Sequence, residues 1–454
     1  MGTHVVVGLS HREARLEQLE RYWVPPALRE RIAQSMCARG CAEAMVLSTC
    51  ARTELHAIVE PVGTLTVAYV LAQMLDILNT HGRNQAGEDS TGHGWLHVNA
   101  FIATGDQATT HLFRVAAGLN SRVLGEREIR TQLHTAAGTA AADPHDDPEN
   151  EPHQLRALTA AAIGAARRVQ ADATTLDAQV FARRAVELAL TDPGRGRGPA
   201  AVAVVGAGTM GRQIFDLVCQ RGLLPRRVPR GNVRDQSRAG DEASWPLLGT
   251  ALRTADVVVF ATSAQQRVLT PQAMETIMRQ RASRPVTILD LALPRNVAPA
   301  VRELPNVRLI DLDEVHGGDE RTSTDQTAQT RAVDEAAARY CRSVRARRAG
   351  PLIAELRRQL EQSCKEELRR HVGAHTVSED SLCRTATAIA GTIAHAPTVL
   401  ARDAAADDDS ETLSLLARAF NLRPVRSPTT TSQLAPIRDR RPPRWVLDRA
   451  GPAL

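Results

Sequence analysis

The 454 residues are 43% apolar and 24% charged, the balance of a soluble globular chain, and roughly 100–200 residues per domain implies two to four domains. No apolar run nears the ~18 residues of a membrane span, Met1–Val6 lacks the basic-then-apolar opening of a signal peptide, and Val6 breaks a myristoylation pattern, so a cytoplasmic protein is expected. The net charge of +5 equals that of residues 423–454 alone, with seven Arg and two Asp, so the body is near neutral and bulk charge makes no case for nucleic-acid binding.

In chain order, Val5–Gly8, Ala44–Ser48 and Leu55–Glu60 read as strands, and Pro26–Arg39, Leu65–Asn79, Gln107–Ala117 and Arg127–Ala137 as helices. Residues 143–153 carry three prolines and five acidic residues and read as a solvated loop. Helical patterns continue to about Arg168 and over Ala178–Leu190. The Gly/Pro cluster 192–199 then marks the clearest domain boundary. Strands at Ala201–Val205, Val257–Ala261, Thr287–Leu291 and Val307–Leu309 alternate with helices, which argues for a parallel, doubly wound sheet. Thr322–Arg370 reads as one long charged helix broken only at Gly350-Pro351. Such a helix is stable only when packed, so it implies a scaffold or oligomer role. More helices reach Leu422, and the proline-rich tail beyond is expected to be disordered.

Lys365 is the only lysine, so a G-x-x-x-x-G-K-[ST] phosphate loop is excluded and Schiff-base chemistry is disfavoured. Seven scattered cysteines form no disulfide framework. Cys37 and Cys41 lack a second close Cys/His pair, so no metal site is expected. Gly206-Ala207-Gly208-Thr209-Met210-Gly211 is a G-x-G-x-x-G between a strand and an amphipathic helix, the context in which backbone N–H groups receive a pyrophosphate. About twenty residues on stand Arg230, Arg234 and Arg238, with Asp235 the one nearby acid. Arginine pairs with a 2′-phosphate, which favours NADP over NAD. Cys50 lies among polar residues after an apolar strand. That places it at an edge, with Arg52 near enough to favour thiolate; the bland alternative is a buried strand-end thiol. His111 lies near the start of a helix, where a lone histidine is more often structural than catalytic.

Beyond these local readings, Val7–His11, Leu47–Leu55, His111–Gln132, Gly206–Gly211, Ala255–Thr262, Asp290–Asn296, Leu304–Asp313, His395–Pro397 and Ala419–Leu422 stand in co-linear order. Over roughly residues 3–422 the chain resembles the glutamyl-tRNA reductases, NADPH-dependent enzymes that open the five-carbon route to tetrapyrroles (porphyrin biosynthesis). The resemblance implies a multidomain α/β protein forming a V-shaped homodimer. It would have an α+β catalytic domain (1–155), a helical connector (156–199), a Rossmann-type NADP-binding domain (200–318) and a helical dimerisation domain (319–422) on a long spinal helix, before the basic tail (423–454). It assigns Cys50 as the nucleophile that takes the glutamyl group as a thioester, and His111 as a residue needed for activity. Thr49, Arg52, Ser121, Glu126 and Gln132 become substrate contacts, with Arg52 the bidentate partner of the γ-carboxylate. Gly206–Gly211 match the NADPH loop, to which the arginine reading above adds Arg234, and no metal is needed. By family analogy, charged tRNA is the substrate and the labile aldehyde passes to glutamate-1-semialdehyde aminomutase.

The sequence departs from the family pattern at Ala51, where Asn is usual, and at Asn120, Arg127, Glu128 and Thr131. Two further readings therefore stand beside an active glutamyl-tRNA reductase. One is a divergent paralogue acting on another aminoacyl-tRNA or in a specialised pathway. The other is a non-catalytic regulatory homologue. Retention of Arg52 favours an acidic side chain in the substrate.

Overall fold

The computed structural model describes residues 2–60, 64–86, 99–121, 128–142, 154–170, 176–191, 201–229, 247–262, 264, 267–282, 284–316, 324–371 and 378–422. The expected acidic loop at 143–153, the Gly/Pro boundary at 192–199 and the basic tail lie outside the described residues.

The first half runs β1 (Thr3–Ser10), α1 (Leu16–Tyr22), α2 (Pro26–Cys37), β2 (Glu43–Ser48), β3 (Arg52–Val59), α3 (Thr64–Ala86), β4 (Phe101–Thr104), α4 (Gly105–Ala116), α5 (Glu128–Gly138), β5 (Ala141–Ala142) and α6 (Gln154–Gln170). Its five strands form one antiparallel sheet in the order β4-β1-β3-β2-β5. Alternation along each strand sorts the side chains onto two faces. Val5, Val7, Leu9, Val46, Leu55, Ala57 and Val59 pack in one core with Leu19, Ala33, Met36, Leu71 and Met74 of α1, α2 and α3. On the opposite face, Thr109 and His111 of α4 and Thr159 of α6 reach His4, Glu54 and Met45. All of β3 is therefore buried, and its alternating pattern Arg52, Glu54, His56 points into protein rather than water. β3 begins at Arg52, three residues ahead of the strand expected from apolar periodicity, because the hairpin pairing with β2 recruits a polar segment. Glu43 closes the far end of the sheet. Its two carboxylate oxygens accept from the N–H groups of Gln154 and Leu155 and so cap α6.

The second half contains α7 (Leu176–Leu190), β6 (Val202–Val205), α8 (Thr209–Gln220), β7 (Arg226–Val228), α9 (Leu248–Thr254), β8 (Val257–Phe260), α10 (Pro271–Gln280), β9 (Val286–Asp290), β10 (Val307–Asp311) and α11 (Leu312–His316). The sheet is wholly parallel, in the order β10-β9-β8-β6-β7. The strand order reverses beside β6, which creates a crevice at the carboxyl ends of β6 and β8. β7 escapes a reading by periodicity because it is three residues long and sits at the edge between Pro225 and Pro229.

The long charged helix is present as α12 (Thr324–Ala346) and α13 (Gly350–His371), joined by a 3-10 turn at Arg347–Ala349. The irregularity precedes the expected breaker. Gly350 itself is helical and Pro351 falls in the first turn of α13, where its missing N–H costs nothing. A second compact unit begins at Asp334. Within it, α14 (Glu379–Ala406) and α15 (Ser410–Ala419) pack on α13 through Ala401, Ala405, Leu413 and Leu416 against Ile353 and Leu352. The buried stripe of α14 is almost all alanine, while Ile389, Ile393, Val399 and Leu400 remain 40–49% exposed on the same helix.

Candidate active site

Cys50 occupies the tip of the three-residue turn between β2 and β3, a hairpin tip rather than a simple strand end, and its thiol is half-buried. Thr49 N–H donates to the carbonyl of Arg52 (2.8 Å), and Ala51 N–H donates to Thr49 Oγ1 (3.1 Å). His11 N–H donates to the carbonyl of Ala51 (2.9 Å), and Arg29 Nη2 to that of Ser48 (2.7 Å). The main chain on either side of Cys50 is thus fixed from four directions, and Ala51 is buried there.

Arg52, Glu54 and His56, successive residues on one face of β3, start a buried polar network. Arg52 Nη1 donates to Glu54 Oε1 (2.7 Å), and His111 Nε2 lies 3.0 Å from that same oxygen. His56 Nε2 lies 3.0 Å from Glu54 Oε2, His4 Nε2 lies 3.2 Å from His56 Nδ1, and Thr109 Oγ1 lies 3.5 Å from His4 Nδ1. Burial opposes ionisation of Glu54, but the charges of His111 and Arg52 and the hydrogen bonds from His111 and His56 hold its carboxyl well below the usual range. Burial also lowers His4 strongly and lowers His56, so both rings are neutral at pH 7. Room for Glu54 comes from Gly8, directly opposite on β1. A Cβ there would meet Thr53 O at 2.7 Å and Glu54 Cγ at 2.8 Å.

Arg52 is placed differently from the sequence expectation. Its side chain is fully buried, with Nη1 on Glu54 and Nη2 on the carbonyl of Asn120. A bidentate fork aimed at a ligand is therefore not presented. Nε has no partner among the described residues. The same geometry leaves Arg52 neutralised by Glu54, so it does not act as an uncompensated charge beside Cys50. The Asn120 contact ties down the turn that follows α4, where Ser121 is buried and its N–H donates to Gly118 O (3.2 Å). Gln132 is half-buried on α5. Glu126, Arg127, Arg230, Arg234, Asp235 and Arg238 lie outside the described residues.

The glycine loop stands at the crevice of the parallel sheet. Gly206 has φ +117°, and a Cβ on it would lie 2.2 Å from Ala261 O, just past β8; one on Gly211 would lie 2.7 Å from Gly206 O. Around Gly208, by contrast, no atom of the described residues lies within 4 Å of that position. Two glycines therefore permit close packing, and the third opens a cradle at the amino end of α8, as a pyrophosphate requires. The adjoining loop is braced by residues that the motif reading passed over. Thr262 Oγ1 donates to Asn296 Oδ1 (2.7 Å), and Asn296 Nδ2 donates to Ala264 O (3.3 Å). Asp290 accepts from Ala292 N–H (3.1 Å) and Val297 N–H (2.8 Å), while burial pushes its carboxyl up to about 7. Arg295 N–H and Nη2 donate to the two oxygens of Glu20 (2.5 and 2.6 Å), joining this loop to α1.

Glu54, His56 and His4 are the site residues that sequence reasoning missed. Period-two polarity along 52–56 was the available signal, but an exposed strand face reads the same way.

Fold and site together define a multidomain α/β protein with a thiol-bearing hairpin and a Rossmann-type nucleotide domain. Residues 7–173 match the family model "Glutamyl-tRNAGlu reductase, N-terminal domain", 197–317 match "Shikimate / quinate 5-dehydrogenase", and 329–422 match "Glutamyl-tRNAGlu reductase, dimerisation domain". The glutamyl-tRNA reductase of Syntrophotalea carbinolica is 30% identical over 92% of this chain and 94% of its own length. Glutamyl-tRNA reductase 2 of Anaeromyxobacter dehalogenans is 30% identical over 92% and 91%. Among solved structures, glutamyl-tRNA reductase from Methanopyrus kandleri matches with a TM-score of 0.37 and 24% identity, over 93% of this chain and 100% of that one. The chain belongs to the glutamyl-tRNA reductase family. Its parallel-sheet domain is of the nicotinamide-cofactor type, and its C-terminal helices are the family's dimerisation domain. No helix among the described residues is long and apolar enough to cross a membrane.

Proposed function

We propose that this protein reduces glutamyl-tRNA to glutamate-1-semialdehyde with NADPH, by way of a thioester on Cys50. The observation that carries the reading is Cys50 at a rigid hairpin tip whose second strand leads straight into the Arg52–Glu54–His111 cluster. Cys50 Sγ attacks the aminoacyl carbonyl. The bond to the tRNA ribose oxygen breaks, and the thiol proton passes through His111 to that leaving oxygen. Gly206–Gly211 would hold NADPH, with Arg234 on its 2′-phosphate, and the cofactor would supply the hydride that, with one proton, converts the thioester to the aldehyde and frees the Cys50 thiol. Thr49 shapes the turn, and Ser121, Glu126 and Gln132 contact the aminoacyl group. Arg52 serves the substrate carboxylate through Nε, which has no partner among the described residues. The work of these residues is to position the acyl group and exclude water, which would waste the thioester.

The expected division into catalytic (1–155), connector (156–199), cofactor (200–318) and dimerisation (319–422) parts suits this chemistry. So does a homodimer working in the cytoplasm, where charged tRNA is made, and handing its labile aldehyde to an aminomutase. The test is the full chain with glutamyl-tRNA and no NADPH. A glutamyl adduct on Cys50 is expected by mass spectrometry, and Cys50→Ser should abolish aldehyde formation. Turnover with Cys50 unmodified overturns the reading. A second reading, action on another aminoacyl-tRNA, draws on Arg52 having both Nη groups committed internally. Assaying aldehyde formation across tRNAs charged with each amino acid decides between the two.

A further inference from the structure

The hydrogen bonds around Glu54 fix the direction in which every proton of the buried network points. An ionised carboxylate only accepts. His111 Nε2 and His56 Nε2, each 3.0 Å from a different oxygen of Glu54, must therefore both carry hydrogen. A neutral His56 then has a bare Nδ1, which obliges His4 Nε2 to donate to it across 3.2 Å. His4 Nδ1 is bare in turn and accepts from the hydroxyl of Thr109. The chain starts and ends on α4, at Thr109 and His111, and passes through β1 and β3. The depressed basicity of His4 and His56 and the ionised state of Glu54 agree with this single arrangement.

We propose that Glu54 is a positioning residue that locks His111 as the Nε2–H tautomer, so that Nδ1 is the nitrogen that exchanges a proton with the reacting groups, and that the His56–His4–Thr109 chain holds Glu54 in place for this task. The second half of the statement rests on no motif. His4 and His56 are diagonal neighbours on β1 and β3, with stacked rings whose centroids are 5.4 Å apart, and neither can reach a substrate because both are buried. Their donor–acceptor polarity, not their bulk, is what the network uses. The role of His111 as proton carrier comes from the thioester reading above, and the proposal rests on that reading. The tautomer assignment itself is a property of the resting protein.

Two measurements on the full chain test it. In protein labelled with ¹⁵N-histidine, with peaks assigned by single His→Gln variants, long-range ¹H–¹⁵N spectra should report Nε2–H and bare Nδ1 for His4 and His56, and hydrogen on Nε2 for His111. A neutral His111 carrying its proton on Nδ1 overturns the proposal. In Glu54→Gln, one face of the new amide donates, so one of the two histidines facing it must turn or change tautomer. Its kcat is expected to fall about a hundredfold with KM for glutamyl-tRNA unchanged. A wild-type kcat overturns the proposal.

The bracing chain is tested by a pair of substitutions of similar volume. His56→Phe keeps the packing but breaks the chain, and should lower kcat several-fold. His56→Gln can donate to Glu54 and accept from His4, and should restore it. Equal activity of the two variants shows the pair to be filler and removes His4 and His56 from the assignment. If the Cys50 adduct is absent while the tautomers are as stated, the thioester reading fails and the positioning of His111 by Glu54 stands.

Discussion

In the antiparallel sheet of the first half, four ionisable side chains of β1 and β3, His4, Arg52, Glu54 and His56, lie buried on one face, with Glu43 buried on β2. In the parallel sheet, β6, β8 and β9 are apolar but for Thr287 and the terminal Asp290, and the polar groups that matter, Gly206, Thr262, Asp290 and Asn296, end the strands or follow them. The difference follows from what covers each sheet. A doubly wound sheet is packed on both faces by helices, so its chemistry is displaced to the carboxyl ends of its strands. The antiparallel sheet is also covered on both sides here, but one cover, α4 to α6, brings polar partners with it. A buried charge is tolerable there because Arg52 and Glu54 compensate each other and His56 and His111 hydrogen-bond to the carboxylate.

The sharpest way to break this comparison is to unbalance the buried face. Arg52→Met leaves Glu54 without its cation, and losing one partner of a buried pair costs about 3–5 kcal/mol. Denaturant unfolding should show a loss of that size, and a loss below about 1 kcal/mol would mean that Glu54 does not depend on Arg52.

Two glycine substitutions come next, because each strikes one sheet. Gly206→Ala puts a Cβ 2.2 Å from Ala261 O at φ +117°, a strain of about 1–3 kcal/mol that should appear as weakened nicotinamide-cofactor binding with the histidine spectra unaltered. Gly8→Ala drives into Thr53 O and Glu54 Cγ, at an overpacking cost of about 1–3 kcal/mol, and should lower kcat while nicotinamide-cofactor binding is untouched. Crossed effects would dissolve the distinction between the two sheets.

The last expected effect is one of pH, spread over several pH units, and its sign differs between the sheets. His4 and His56 are lowered by burial, so the stability they permit is present above about pH 6.5 and is lost as pH falls below it, where the unfolded chain takes up protons. Asp290 is raised by burial to about 7, so its contribution is fully present below about pH 4 and is lost as pH rises towards 7, by at most about 1.4 kcal/mol per pH unit. Chemical denaturation at pH 5 and pH 8 should therefore find His56→Gln less acid-sensitive than wild type and Asp290→Asn less sensitive to rising pH. Unchanged slopes in both variants would defeat the assignment.

The amino-acid sequence by itself determined the alternation of strand and helix over 201–311, the glycine loop in its strand–turn–helix setting, the long helices after residue 323 and the family motif around Cys50. Each is a local pattern, set by periodicity, by backbone freedom at glycine or by an uninterrupted run of helix formers, and such patterns survive without knowledge of the partner. Only the tertiary structure decided that Cys50 sits on a hairpin tip, that β3 begins at Arg52, and that the fork of Arg52 is turned inward onto Glu54 and Asn120. It also decided that histidines 52 residues apart in the chain share a proton chain. Those outcomes depend on register between β1 and β3 and on which face α4 covers. Polar residues at every second position look the same in sequence whether water or a second layer of protein lies over them.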